Sequence, residues 1–222
     1  MISENLENLK KELPNDVTLV AVSKTKPVAD LMEAYNAGQR VFGENKIQEM
    51  ESKWQEMPKD IQWHMIGHVQ RNKVKYMAPF VSLIHAVDSL KLLKEINKEA
   101  KKNERTIHCL LQIKIAEEES KFGMEKADAS ALLASEELKN FENVKVVGLM
   151  GMATFTEDEK QVSEEFMKLK GIYDEFKIQC ENFGIELNIL SMGMSGDYKI
   201  ALKSGSNMLR LGSAIFGERN YK

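Results

Sequence analysis

The segment VTLVAVSKTKPVADLMEAYNA (17–37) decides the fold. It opens on VTLVAV (17–22), a short apolar run rich in β-branched residues, which reads as a strand. Pro27 then stands in the first turn of a helix running to Ala37, where a fixed φ and a missing N–H do no harm. The same unit, strand then helix, recurs outward from this stretch. RVFG (40–43) precedes a helix over 46–56, and IQWHMIG (61–67) precedes one over 71–77. VSLIHAV (81–87) leads to a helix over 89–102 capped by Asp88 or Ser89, and TIHCLLQIKI (106–115) to one near 126–140. VKVVGLMGM (144–152) leads to a long, charge-rich helix over 157–183, read as a solvated outer layer, and ELNILSMGM (186–194) to a short helix over 196–204. NMLRLG (207–212) is the eighth strand, and residues 1–13, with Leu6, Leu9 and Leu13, form a leading helix. The strands are near-continuous apolar runs, as expected of a parallel sheet covered by helices. Eight such units predict a single (β/α)₈ TIM barrel with an additional N-terminal helix, one domain over 1–222, against the alternative of an open doubly wound sheet.

Composition narrows the function classes. With 222 residues, 31 Lys+Arg against 34 Asp+Glu and a net charge of -3, the chain offers no general attraction to nucleic acid or anionic lipid. The N-terminal MISENLENLKKELP lacks the apolar centre of a secretory signal, and no apolar stretch approaches the ~20 residues of a membrane span. Two isolated cysteines, Cys109 and Cys180, exclude a CxxC redox pair or zinc ribbon, and Cys109 reads as a small core residue. A cytoplasmic location is the expectation.

In a barrel of this kind chemistry collects at the carboxyl ends of the strands. Lys24 follows the first strand directly; an amine leaving an apolar wall is disfavoured in its charged form and can attack a carbonyl to form an imine. Gly193-Met194-Ser195-Gly196-Asp197 follows the seventh strand and Gly212-Ser213 the eighth, with glycines for close approach and N–H groups and hydroxyls suited to a phosphate. Arg210 lies two residues before Gly212 and so on the same strand face. A guanidinium facing a pyridine nitrogen would donate to it and keep the ring unprotonated, which restrains carbanion chemistry. A reactive amine opposite a phosphate cradle fits a phosphorylated aldehyde; pyridoxal 5′-phosphate and the substrate of a sugar-phosphate aldolase both satisfy it.

The segments AVSKTKP (21–27), FGENKIQE (42–49), WHMIGHVQRNK (63–73), GLMGMATF (148–155), SMGMSGDYKIAL (191–202) and RLGSAIFGERNY (210–221) together resemble the YggS/PROSC family of pyridoxal phosphate homeostasis proteins, related to the alanine racemase N-terminal barrel. The resemblance implies pyridoxal phosphate held as a Schiff base on Lys24, with Lys26 a neighbour. It implies Asn45 near the cofactor, Met152 over the ring, Ser195, Gly212 and Ser213 on the phosphate, and Arg210 at the pyridine nitrogen. Lys114 stands where relatives commonly carry asparagine, Gly151 where threonine or alanine is frequent, and His68 where proline often occurs. Lys114 would place a second amine near the site, and His64 reads as a hydrogen-bonded structural residue.

The resemblance leaves two functions to weigh: a carrier that buffers or delivers the cofactor without robust catalysis, and an amino-acid racemase. Racemisation needs acid–base groups on both faces of the substrate carbon. The racemases resembled supply a tyrosine from a further C-terminal domain, which is expected to be absent here, and none of Tyr35, Tyr76, Tyr173, Tyr198 and Tyr221 ends a predicted strand. The reading is therefore a non-enzymatic, monomeric carrier whose partners are the cofactor and pyridoxal-phosphate-dependent apoenzymes. The run Glu117-Glu118-Glu119 reads as a polar loop.

Overall fold

The computed structural model describes residues 1–117 and 122–218. Glu118, Glu119 and Tyr221 lie outside the described residues. Eight parallel strands form a closed barrel in chain order: β1 (Thr18–Val22), β2 (Val41–Glu44), β3 (Gln62–Met65), β4 (Val81–Val87), β5 (Ile107–Gln112), β6 (Val144–Met150), β7 (Ile189–Ser191) and β8 (Met208–Leu211). The helices are α1 (Ile2–Glu12) ahead of β1, α2 (Val28–Asn36), α3 (Ile47–Glu56), α4 (Val74–Met77), α5 (Leu90–Lys102), α6 (Lys126–Leu133), α7 (Glu136–Lys139), α8 (Glu159–Glu181) and α9 (Tyr198–Lys203) between the strands, and α10 (Ser213–Phe216) after β8. Strand β8 closes on β1 through four consecutive register pairs from Thr18↔Met208 to Ala21↔Leu211. The open-sheet alternative is thereby excluded.

Strand parity divides the core into two layers. On β1, Leu19 and Ala21 pack outward against the helices, while Val20 faces the barrel axis with Leu83, Leu110, Met150 and Met208. A register irregularity between Ile84 and Val87 lets Ala86 join that inner cluster. The leading helix docks as expected, with Leu6, Leu9 and Leu13 buried and Asn5 Nδ2 donating to the Ile215 carbonyl at 3.0 Å.

Helix boundaries depart from the sequence reading where a polar side chain captures a backbone N–H. Ser89, rather than Asp88, caps α5 by accepting from Leu92 N, and Asp158 opens α8 by accepting from Lys160 N and Gln161 N. The helix expected over 126–140 is broken in two because Ser135 accepts from Leu138 N and starts α7. The segment expected as a helix over 71–77 enters through a 3₁₀ turn at Arg71–Lys73. Helix α8 is not simply a solvated layer: Val162, Phe166, Leu169, Ile172, Phe176 and Cys180 are buried. Cys109 packs in the core as expected, and burial pushes its thiol far up from its ordinary range.

Candidate functional site at the carboxyl ends of the strands

A cavity of about 470 Å³ opens at the carboxyl ends of β1, β2, β6, β7 and β8. All seven residues singled out from the sequence, Lys24, Asn45, Met152, Ser195, Arg210, Gly212 and Ser213, line it. Its volume falls within the range that takes a small organic ligand. Lys114 does not line it: the residue lies past the end of β5, with its backbone N–H donating to the Met124 carbonyl at 3.0 Å. The expected second amine at the site is therefore not found there. Lys26 also borders the cavity, but its Nζ donates to the Phe216 carbonyl at 2.9 Å and so holds the C-terminal end of α10.

The loops after β7 and β8 meet at one oxygen. Ser195 Oγ accepts from Gly212 N and from Ala214 N, both at 3.2 Å. The sequence pattern places Ser195 at the start of the next helix; instead α9 begins at Tyr198, and Ser195 reaches across to the following strand's turn. Two N–H groups of that turn thus converge on a single acceptor, an arrangement that also suits an anionic oxygen. On the opposite wall Asn45 Oδ1 is a buried acceptor with no protein hydrogen-bond partner. A ligand donor at that point would satisfy it. These features fit a phosphate-bearing, polar-edged cofactor.

Arg210 is 4% exposed, and its guanidinium is fixed from two sides. Nη1 donates to Ser191 Oγ at 2.7 Å and Nη2 to the Gly151 carbonyl at 3.0 Å. Behind it, Ser191 Oγ lies 3.1 Å from His85 Nδ1, and His85 Nε2 lies 3.1 Å from His64 Nδ1. This chain crosses the barrel interior from β8 through β7 and β4 to β3. Burial draws Arg210 down to about 10, which leaves it protonated at neutral pH. Burial draws His64 to about 3, and burial with the nearby His64 and Arg210 holds His85 well below its ordinary value, so both rings are neutral. His64 is the structural residue the sequence predicts; His68 instead lies outside, 3.5 Å from Asp88 and stacked on Phe122. Gly151 is buried, and a Cβ there would stand 2.7 Å from Leu169 Cδ2 and 3.0 Å from Ile115 Cδ1, so the packing leaves little room for a side chain.

A second polar system lies on the other side, between β1, β2 and α3. Lys53 Nζ donates to Glu44 Oε1 and Glu49 Oε1 at 2.7 Å and to the Ser23 carbonyl at 2.8 Å. Sequence reasoning assigned no role to His85, Ser191, Glu44, Glu49 or Lys53. The Glu49–Lys53 spacing of four residues signals a helix pair, but such pairs are ordinarily surface features; here Lys53 is 6% exposed.

A serine-bridged turn, a strand-one lysine and a buried arginine at the mouth of an eight-stranded parallel barrel place the chain among cofactor-binding barrels of the racemase type. The chain matches the family model described as "Alanine racemase, N-terminal domain" over residues 1–220 and belongs to that family. Its relatives include the pyridoxal phosphate homeostasis proteins of Aquifex aeolicus, 38% identical over 93% of this chain and 89% of that one, and of Mus musculus, 38% identical over 99% and 85%. Among solved structures it is similar to PipY of Synechococcus elongatus with PLP bound, at 34% identity and a TM-score of 0.89, covering 98% of this chain and 100% of that one. An alanine racemase of Clostridium difficile, 17% identical with a TM-score of 0.79, shares the fold; this chain covers 57% of it.

Proposed function

We propose that this chain, acting as one domain over 1–222, holds pyridoxal 5′-phosphate on Lys24 and buffers or delivers it within the cell, without robust catalysis of its own. The observation that carries the reading is the convergence on one cavity of Lys24, Arg210 and the Ser195–Gly212–Ser213 turn. The cofactor supplies a reactive aldehyde and an electron-accepting ring. Lys24 is the amine to which that aldehyde is joined. Ser195, Gly212 and Ser213 hold the phosphate, Asn45 offers its free acceptor at the cofactor's polar edge, and Met152 covers the ring. Arg210, kept protonated and held from behind, donates to the pyridine nitrogen and disfavours its protonation, which limits the ring as an electron sink. The names of the relatives support a homeostatic role.

The carrier reading is favoured over a racemase by where the tyrosines lie. Among the described residues, Tyr35 donates to Asp60, Tyr173 to the Leu187 carbonyl and Tyr198 to Glu12, and none of Tyr35, Tyr76, Tyr173 or Tyr198 lines the cavity. The cavity-lining Asp197 accepts from the backbone of Met194. Exchange of cofactor with an incoming amine needs no further base. The protein then acts as a monomer in the cytoplasm and passes cofactor to dependent apoenzymes; two buried free thiols suit a reducing compartment. Among the described residues no helix is long and apolar enough to cross a membrane.

The test is borohydride reduction of protein loaded with pyridoxal phosphate, followed by peptide mapping. The label is expected on Lys24 and lost in Lys24→Ala; a label on Lys26, or none, overturns the assignment. Racemisation of alanine at about 1–10³ s⁻¹ would overturn the non-enzymatic reading.

A further inference from the structure

The turn that carries Lys24 has a backbone that its sequence does not favour. Lys26 N donates to the Ser23 carbonyl at 3.0 Å, closing a four-residue turn over Ser23–Lys24–Thr25–Lys26. Thr25, its third residue, has φ 64. That position in such a turn ordinarily goes to glycine or asparagine, and a β-branched residue is strained there. The strain has to be offset by contacts around the turn.

Those contacts come from α3 and β2. Thr25 N donates to Glu49 Oε1 at 2.6 Å. The same oxygen accepts from Lys53 Nζ, which also reaches the Ser23 carbonyl and Glu44 Oε1. Ser23 Oγ donates to Glu44 Oε1 at 2.7 Å. Three atoms on the two flanks of Lys24 (Ser23 Oγ, Ser23 O and Thr25 N) are thus clamped by one ion triad. Glu44 is 0% exposed and Lys53 6% exposed, so water competes little for the bonds between them and Ser23, while Glu49, its side chain 25% exposed, forms the outer end of the triad at Thr25.

We propose that Glu49, within the Glu44–Lys53–Glu49 triad, is a positioning residue that holds Thr25 in the left-handed conformation and thereby presents the Lys24 amine to the cavity. The inference rests on Lys24 being the attachment residue. In the attachment step Lys24 Nζ, as a neutral –NH2 group, bonds to the aldehyde carbon; the C=O bond is replaced by C=N, and the oxygen leaves with the two amine hydrogens as water. Glu49 takes no part in that exchange. It raises the fraction of molecules whose amine is in place.

The experiment compares wild type, Glu49→Ala and Glu49→Ala/Thr25→Gly. Attachment of pyridoxal phosphate is followed by absorbance, the labelled lysine by borohydride mapping, and the fold by circular dichroism and thermal unfolding. Glu49→Ala is expected to weaken and slow attachment by about 5- to 150-fold, the population loss that matches this kind of backbone strain. The second-site glycine, which adopts positive φ without strain, is expected to recover at least half of that loss on a logarithmic scale. Attachment unchanged in folded Glu49→Ala overturns the proposal, and so does a loss that glycine does not recover. Should Glu49→Ala fail to fold, Thr25→Pro, whose ring forbids positive φ, is compared with Thr25→Gly. Proline is expected to abolish attachment and glycine to keep it; equal attachment overturns the proposal. A wild-type label away from Lys24 removes the underlying assignment and this inference with it, whereas Lys24 labelling that is indifferent to Glu49 removes this inference alone.

Discussion

The neutral histidine pair makes this barrel sensitive to mild acid, and His64→Asn should halve that sensitivity. His64 is 5% exposed and His85 0%. Burial holds His64 at about 3 in the folded chain, and His85 is also held well below its ordinary value. In the unfolded chain each ring titrates near about 6.5. Between those values the unfolded state binds more protons, so stability is complete above about 6.5 and is lost as pH falls toward about 3. At pH 5.0 protonation of one unfolded imidazole favours unfolding by about 2 kcal/mol, so the pair together costs about 4 kcal/mol relative to neutral pH. That is a large share of the about 5–15 kcal/mol that holds an ordinary domain folded. Asparagine at position 64 places a polar atom near the site of Nδ1, keeps a partner for His85 Nε2 and does not titrate. Urea unfolding of both proteins at pH 7.5 and pH 5.0, with m checked for constancy, gives the four stabilities. Wild type should lose about 4 kcal/mol to these two rings between the two conditions, and His64→Asn about 2 kcal/mol. His68, His108 and the carboxylates are common to both proteins and cancel in the difference. Equal losses in the two proteins would refute the buried, neutral state of His64.

Two further perturbations test the frame of the site. A Cβ on Gly148 would run into the Ile189 carbonyl oxygen, so Gly148→Ala must push β6 and β7 apart; a loss of about 3 kcal/mol is expected in a thermal or urea melt, and a near-wild-type melt would contradict the close approach. Lys26→Met removes the donor to Phe216 O at 2.9 Å and should fray α10; affinity for inorganic phosphate, read by isothermal titration, is expected to drop about 3- to 10-fold while Lys24 is still labelled, and unchanged affinity would detach Lys26 from the phosphate turn.

Strand order and most of the site were legible because both depend on local pattern. A parallel barrel needs eight apolar runs, and VSLIHAV marks β4 to the residue. Strand-end position then points to Lys24, Ser195, Arg210, Gly212 and Ser213, the family resemblance adds Asn45 and Met152, and all of them line the cavity. What sequence could not carry was pairing across the barrel. His85 and Ser191 are 106 residues apart and meet only because β4 and β7 both turn a polar residue toward the axis. Strand β7 is shorter than the run ELNILSMGM because it pairs with β6 only over Ile189–Ser191 and the chain turns at Gly193, φ 101. The break at Ser135 was hidden for a different reason: a cap and a helix-interior serine look alike until the N–H it accepts from is known.

The two polar systems beneath the cavity respond to pH in opposite senses. On the β3–β4–β7–β8 side the histidines contribute stability above about 6.5 and lose it as acid charges the unfolded chain. On the β1–β2 side Glu44 is buried with Oε2 unpartnered, and burial raises its pKa despite the opposing pull of Lys53. A folded pKa above the unfolded one means that this carboxylate's contribution is present below its unfolded value and is lost as pH rises through the folded one. Sealed from water, Glu44 is costly wherever it is ionised, and an apolar residue of its size would avoid the desolvation. Stability alone gives no reason to keep it. Its Oε1 does: the same oxygen takes the Ser23 hydroxyl and Lys53, and Lys53 in turn takes Glu49, which holds Thr25 beside Lys24. On the proposed reading the carboxylate's role is to place a neighbouring amine, and replacing it should cost attachment more than it costs the fold.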